Sequence, residues 1–114
     1  MPITTEFLLD EVRSAFSVCE SLFHALGDPA RQSIILLLSG HERLNVNQIT
    51  DLMHLSRPAI SHHLKVLKDA GLVELARESR ENYYSLRWDE PMSRLKHLIE
   101  LSERACSRKR DLAP

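Results

Sequence analysis

Apolar residues recur at intervals of three and four from about Thr5 to Leu26, at Leu8, Val12, Ala15, Phe16, Cys19, Leu22, Phe23 and Leu26. That spacing predicts an amphipathic helix with Cys19 in the middle of its stripe. Asp28 followed by Pro29 reads as an N-cap with proline in the first turn, and it opens a second helix that runs to about Ser39, before Gly40. The run Ile34 to Leu38 leaves this helix little polar face, so it is expected at the centre of the core. A short strand is expected around Arg43 and Leu44. Asn45 then caps a third, short helix from Val46 to Met53, with Val46, Ile49, Leu52 and Met53 apolar.

His54-Leu55-Ser56 connects that helix to a fourth. Ser56 is placed to cap it, Pro58 lies in its first turn, and Gly71 can take the left-handed conformation that ends it. At 100° per residue, Ile60, Leu64 and Leu67 fall within about 60° of one another as a narrow apolar seam. Arg57, Ser61, Lys65 and Lys68 fall together on another side. After Gly71 the texture changes to a strand, Leu72 to Ala76, a polar turn, Glu78 to Asn82, and a second strand, Tyr83 to Arg87. Asp89 caps a last helix, with Pro91 in its first turn, that runs to about Arg108 with Met92, Leu95, Ile99 and Cys106 on one face.

Two short helices joined by a three-residue turn, followed at once by a hairpin with a charged tip, make a winged helix-turn-helix. The fold class expected is therefore mainly α with a small β-hairpin wing. At 114 residues and 43% hydrophobic composition, one compact domain is expected. Within it, residues 46–70 form the helix-turn-helix and 72–87 the wing, while 5–26 and 90–108 are the flanking helices.

Bulk charge does not announce a nucleic-acid binder, because 15 basic and 16 acidic residues leave a net charge of -1. The distribution says more. Residues 56 to 87 carry six Arg or Lys against four acids, whereas residues 1 to 27 carry one base and four acids. The positive excess thus coincides with the fourth helix and the hairpin. Glu6, Asp10 and Glu11 interrupt any signal-like apolar run, and Ile34 to Leu38 falls far short of the roughly 20 residues that cross a bilayer. A soluble, cytoplasmic protein with two reduced thiols, Cys19 and Cys106, is the expectation. A Gly-rich phosphate loop, paired carboxylates in an evident cleft and a complete metal site are all missing from the pattern, which argues against an enzyme.

A recognition helix enters the major groove while the hairpin lies along the backbone or the adjacent minor groove. Arg57, Ser61 and His62, near the helix start, are the candidates for reading bases, and Arg57 has the fork to pair bidentately with guanine. Lys65, Arg77 and Arg80 are candidates for phosphate contacts that set affinity and salt dependence. Taken singly, each cation is more often a solvated side chain than a DNA contact; the ordered combination reverses that. His63, about 60° from Ile60 on the wheel, reads as a packing residue rather than a base reader.

At these residues the chain resembles the ArsR/SmtB group of bacterial winged-helix repressors. The resembling segment runs from Leu22 to Leu86 and includes Leu-Phe-His-Ala-Leu-Gly-Asp-Pro-Ala-Arg-Gln at 22–32 and Ser-His-His-Leu-Lys-Val-Leu-Lys-Asp-Ala-Gly-Leu-Val at 61–73. The resemblance implies a homodimer, joined through the first and last helices, that blocks transcription from an imperfect inverted repeat of double-stranded DNA. It also implies base and backbone contacts from Val46, Arg57, Ser61 and His62, and wing contacts from Arg77 and Arg80; Ser56, at the helix start, is a further DNA-binding candidate. Arg57 stands where many relatives have Gln, Pro58 and Ala59 replace positions that are often polar, and Ser79 stands where the wing commonly has Gly. These departures point to a shifted operator preference and a stiffer turn.

No cofactor is expected, and the effector is the open question. The Cys-x-Cys that binds metal in relatives reads Asn45-Val46-Asn47 here, and amides replace thiolates poorly toward soft metals. His97 and Glu100 match one half of another metal site of the family, but the positions that would complete it lie around Tyr84 and Leu86. Cys19 and Cys106 are the thiol-switch candidates if the first and last helices pack together, a disulfide requiring alpha carbons within roughly 7 Å. As small hydrophobes they equally suit plain packing. The competing functional class is a winged helix that binds only another protein, which the fold permits.

Overall fold

The structure, a computed structural model, describes residues 4–112. In chain order its elements are α1 (Thr5–Leu26), α2 (Pro29–Ser39), β1 (Leu44–Asn45), α3 (Val46–Leu52), α4 (Arg57–Asp69), β2 (Val73–Glu78), β3 (Glu81–Leu86) and α5 (Asp89–Leu112). This is the predicted winged helix-turn-helix, with the hairpin enlarged to a three-stranded antiparallel sheet in the order β1-β3-β2. Two compact units make up the backbone: α1 up to Glu20 with α5 from Met92 onward, and Ser21–Pro91. Among the described residues no helix is long and apolar enough to cross a membrane.

The second unit is held by side chains that helical phase had singled out. Asp28 accepts from the N–H groups of Ala30 and Arg31 and so starts α2, whose Ile34, Ile35 and Leu38 are buried. Leu36, in the middle of the same apolar run, is 71% exposed, so α2 keeps an outer face that the run of five apolar residues had concealed. Ile60, Leu64 and Leu67 of α4 and Ile49 of α3 are fully buried, which fixes α4 in the core by the expected seam. Leu44 of β1 is buried opposite Tyr84, and that pairing ties the root of the hairpin to the start of α3. The expected strand at Arg43 and Leu44 therefore lies one residue later, at Leu44 and Asn45.

In the first unit Ala15, Cys19, Leu98 and Leu101 form a buried cluster, with Val12 and Leu95 packed against it. Here the expected stripes need correction. On α5 the buried positions are Leu98 and Leu101, whereas Ile99 is 47% exposed and Cys106 is exposed. On α1 Leu8, Ala15, Cys19 and Leu22 are buried, but Phe16 is 52% and Phe23 42% exposed. The three-and-four spacing gathers residues over an arc wider than one neighbouring helix covers, so its edges stay outside. Helix α5 starts at Asp89 itself and runs to Leu112, beyond the expected end at Arg108.

Leu64 is fully buried at the centre of the α4 seam. Truncation to alanine removes its packing and leaves a cavity, a change that costs about 2–5 kcal/mol in well-packed cores. Urea unfolding of Leu64→Ala is expected to show an unfolding free energy lowered by that amount, through a lower midpoint at unchanged slope.

Candidate nucleic-acid interface

The presentation of α4 is fixed at both ends by local chemistry. At the start, Ser56 accepts from the Ala59 N–H (3.3 Å), and Pro58 adds no donor that would go unsatisfied. At the end, the N–H of Gly71 donates to the carbonyl of Lys68 (2.9 Å) and that of Leu72 to the carbonyl of Leu67 (3.0 Å). Gly71 has φ 78°, so the pair is a Schellman motif closed over a left-handed glycine, with buried Leu67 and Leu72 making its apolar contact. The preceding α3 is held by a reciprocal capping box between Asn45 and Gln48. Arg57, Ser61, His62, Lys65 and Lys68 are all exposed on α4, and Val46 is half-buried at the start of α3.

The wing is tighter than expected. Strand β2 pairs with β3 from Val73↔Leu86 to Glu78↔Glu81, which leaves only Ser79 and Arg80 in the turn, not the five residues from Glu78 to Asn82. Both have positive φ, 51° and 69°, which is the two-residue turn whose twist matches a hairpin. Side chains bearing a Cβ are held there at a cost of roughly 1–2 kcal/mol each. The tip is thus built on a serine and an arginine instead of the permissive glycine, and Arg80 is held out at the turn with Arg77 exposed on β2.

Which cations are spoken for matters more than how many there are. Of the eight Lys and Arg residues within Ser21–Pro91, four have an acidic partner: Arg31 with Asp28, Arg43 with Glu78, Lys65 with Asp69, and Arg87 with Glu74. Arg43 also lies 4.0 Å above the Tyr83 ring. The other four, Arg57, Lys68, Arg77 and Arg80, pair with no acid among the described residues. All four stand on α4 or on the wing. Lys65, a candidate for phosphate, sits 3.4 Å from Asp69 one turn along its helix, and Lys68 is a further open cation on the same helix. An i,i+4 Lys-Asp pair is legible in sequence and was the signal that separates the two lysines.

Residues 28–74, which contain α2, α3, α4 and the first residues of β2, match the model of the arsR family of bacterial regulatory proteins. A transcriptional regulator of the helix-turn-helix type from Methanocaldococcus jannaschii is 39% identical over 80 residues, covering 70% of this chain and 85% of that one. The chain belongs to the ArsR family. The transcriptional repressor SdpR of Bacillus subtilis is 38% identical over 66 residues, 58% of this chain and 72% of its own. An ArsR-like transcriptional regulator from Rhodococcus sp. RHA1 superposes with a TM-score of 0.76 at 25% identity, over 87% of this chain and 90% of that one. This is a DNA-binding transcriptional regulator, not an enzyme.

The sensor candidates of this ArsR-family chain fall outside the region that the family model matches. Cys19 is fully buried among Ala15, Leu98 and Leu101, while Cys106 is exposed on α5; both are free thiols. His97 and Glu100 are exposed on α5, and among the described residues no three His, Cys, Asp or Glu side chains are grouped to hold a metal ion. Burial pushes the Tyr84 phenol up from its ordinary value, so it stays a neutral hydroxyl and not an anionic ligand. Leu86, the other position where a first half-site would lie, pairs with Val73 within the sheet.

The carboxyl of Asp28 sits below its ordinary value of 3.8: desolvation works to raise it, but the N–H groups of Ala30 and Arg31 and the Arg31 guanidinium together win. A carboxylate stabilised by folding contributes above its unfolded pKa, and the contribution is lost as pH falls through the lower folded value. Asp28→Asn keeps an oxygen for the cap but no proton to take up. In acid-unfolding series from pH 5 to 2, the parent is expected to lose its advantage over this variant below about pH 3.8.

Proposed function

We propose that this ArsR-family regulator is a homodimeric repressor, joined through α1 and α5, that occupies an inverted-repeat operator and leaves it when an effector binds. The observation that carries the reading is the division of cations in Ser21–Pro91: those left without an acidic partner lie on the reading helix and the wing. A cation that neutralises a phosphate displaces the counterion condensed there, and one held by an acid must first give up that partner. Arg57, Ser61 and His62 then read base edges from α4, Ser56 and Val46 support the approach, and Lys68, Arg77 and Arg80 hold phosphates, with Lys65 contributing once it leaves Asp69. The named repressor among the relatives supports blocking over activation.

For the dimer, the support is apolar surface. In the first unit Phe7, Leu9, Phe16, Val18 and Ile99 are each about half exposed, an amount of open hydrocarbon that suits a second copy of the same helices. A symmetric pair would set its two reading helices about 34 Å apart, one turn of DNA. The effector acts on that pair of helices. Thiol chemistry at Cys19 and Cys106 requires Cys19 to become reachable from its buried cluster, and metal sensing requires ligands beyond His97 and Glu100.

The second reading, a winged helix that serves only as a protein-binding module, separates from the first by salt. Fluorescence anisotropy on a selected operator is expected to show log affinity falling linearly with log salt, and each of Arg77→Ala and Arg80→Ala is expected to lower the slope by roughly 0.9. Binding that ignores salt favours the protein-binding class. Arg57→Ala is expected to lose about 1–3 kcal/mol of discrimination at one base pair per half-site; equal loss on random DNA makes Arg57 a phosphate contact instead. Light scattering on the free protein is expected to give twice the chain mass of 13.1 kDa, and a monomer at micromolar concentration removes the two-fold operator from the proposal.

A further inference from the structure

Arg31 is the one charged side chain buried among the described residues, at 7% exposure. Each of its nitrogens has a partner. Nε donates to the carbonyl of Ala25 (2.8 Å) and Nη2 to the carbonyl of His24 (2.9 Å), two of the carbonyls that the end of α1 leaves open. Nη1 is 3.6 Å from the Asp28 carboxylate and 3.3 Å from Nδ1 of His63. His63 belongs to α4, so a single guanidinium joins the end of α1, the start of α2 and the reading helix. Gln32 extends the same cap, donating to the carbonyl of Leu26 (2.8 Å).

A guanidinium carries five donors and no acceptor. In a hydrogen bond between Arg31 and His63 the guanidinium donates and Nδ1 accepts, which places the ring proton of His63 on Nε2. Its position on α4 gives this contact its effect. The seam of Ile60, Leu64 and Leu67 holds the helix by close packing, and a hydrogen bond at its flank adds the directional constraint that apolar contacts do not supply. His63 lies about 60° to one side of Ile60, and Arg57 and Ser61 lie about 60° and 100° to the other side.

We propose that the Arg31–His63 hydrogen bond is the rotational pin of α4, making both residues positioning residues for base discrimination. This rests on the reading of α4 as the helix that meets base edges. The magnitude follows from helix dimensions. Side-chain tips at a radius of roughly 5–6 Å move by about 2 Å when the helix rolls by about 20°. That displacement takes a base-edge hydrogen bond from about 2.9 Å to well beyond bonding range. Long, flexible Lys68, Arg77 and Arg80 follow a phosphate through the same motion, so the pin governs discrimination and leaves non-specific affinity alone.

Arg31 also caps α1, so the test is made from the His63 side. His63→Leu removes the acceptor and keeps an apolar body of similar bulk; His63→Gln restores an oxygen that can accept from Arg31. His63→Leu is expected to lose tenfold or more of its preference for operator over random duplex, about what one bidentate base contact supplies. Its affinity for random duplex and its salt slope stay within about twofold of the parent. His63→Gln is expected to recover most of the preference. Full preference in His63→Leu, equal losses on both duplexes, or no recovery in His63→Gln overturns the pin. A measurement without DNA stands beside these: long-range nitrogen-proton correlations of the parent imidazoles at pH 7.5 are expected to show His63 as the Nε2–H tautomer, and an Nδ1–H or cationic ring overturns the proposal even if His63→Leu fails to fold. A parent that prefers no DNA sequence at all would count against the repressor reading, while this spectrum would still decide the contact.

Discussion

A guanidinium taken out of water needs acceptors around it, and in this chain each nitrogen of buried Arg31 has one. Meeting that need places the end of α1, the first turn of α2 and the flank of α4 within hydrogen-bonding distance of one planar group. Apolar burial holds these helices together without the directionality of a hydrogen bond. The polar contacts supply direction. A regulator that discriminates among bases needs both, since the seam sets how deep the reading helix sits in the core and the guanidinium sets which way its outer face looks.

Much of this organisation was legible in the sequence because it is local. Asp28, Asn45 and Ser56 cap the helices they precede, Gly71 ends α4 with positive φ, and Ile60, Leu64 and Leu67 are buried as helical phase required. These follow from interactions spanning a few residues, and the chain encodes them directly. The parts that escaped depend on partners distant in sequence. Nothing adjacent to Arg31 announces His63 thirty-two residues later. Phase grouped Phe16 and Ile99 with their helices' buried stripes, yet both stay half exposed, because periodicity reports which residues share a face and not how much of it one neighbour covers. The Lys65–Asp69 pair, by contrast, is local, and the sequence contains it at i,i+4.

The charge pattern shows why net charge is a poor guide to this class of protein. With 15 bases against 16 acids the chain is nearly neutral, and half the cations around the reading helix are matched by acids of their own. What remains is a small set of open cations on α4 and the wing. Such an arrangement favours encounter with DNA in one orientation without the strong general attraction that would hold the protein at any sequence. The half-exposed apolar residues of the first unit, Phe7, Leu9, Phe16, Val18 and Ile99, are a separate feature of the surface.

The two-residue turn of the wing makes the hairpin a gauge of fixed length. Six paired positions on each strand extend it by roughly 20 Å. Its root is fastened where Leu44 and Asn45 meet Tyr84 and Tyr83. Adding one residue to the strands would not simply lengthen the reach, because a one-residue slip turns every side chain of β3 to the opposite face and moves Tyr83 out from under Arg43. Changes in reach therefore come in steps of two, and how far the wing extends beyond α4 is quantised by the pleat of its sheet.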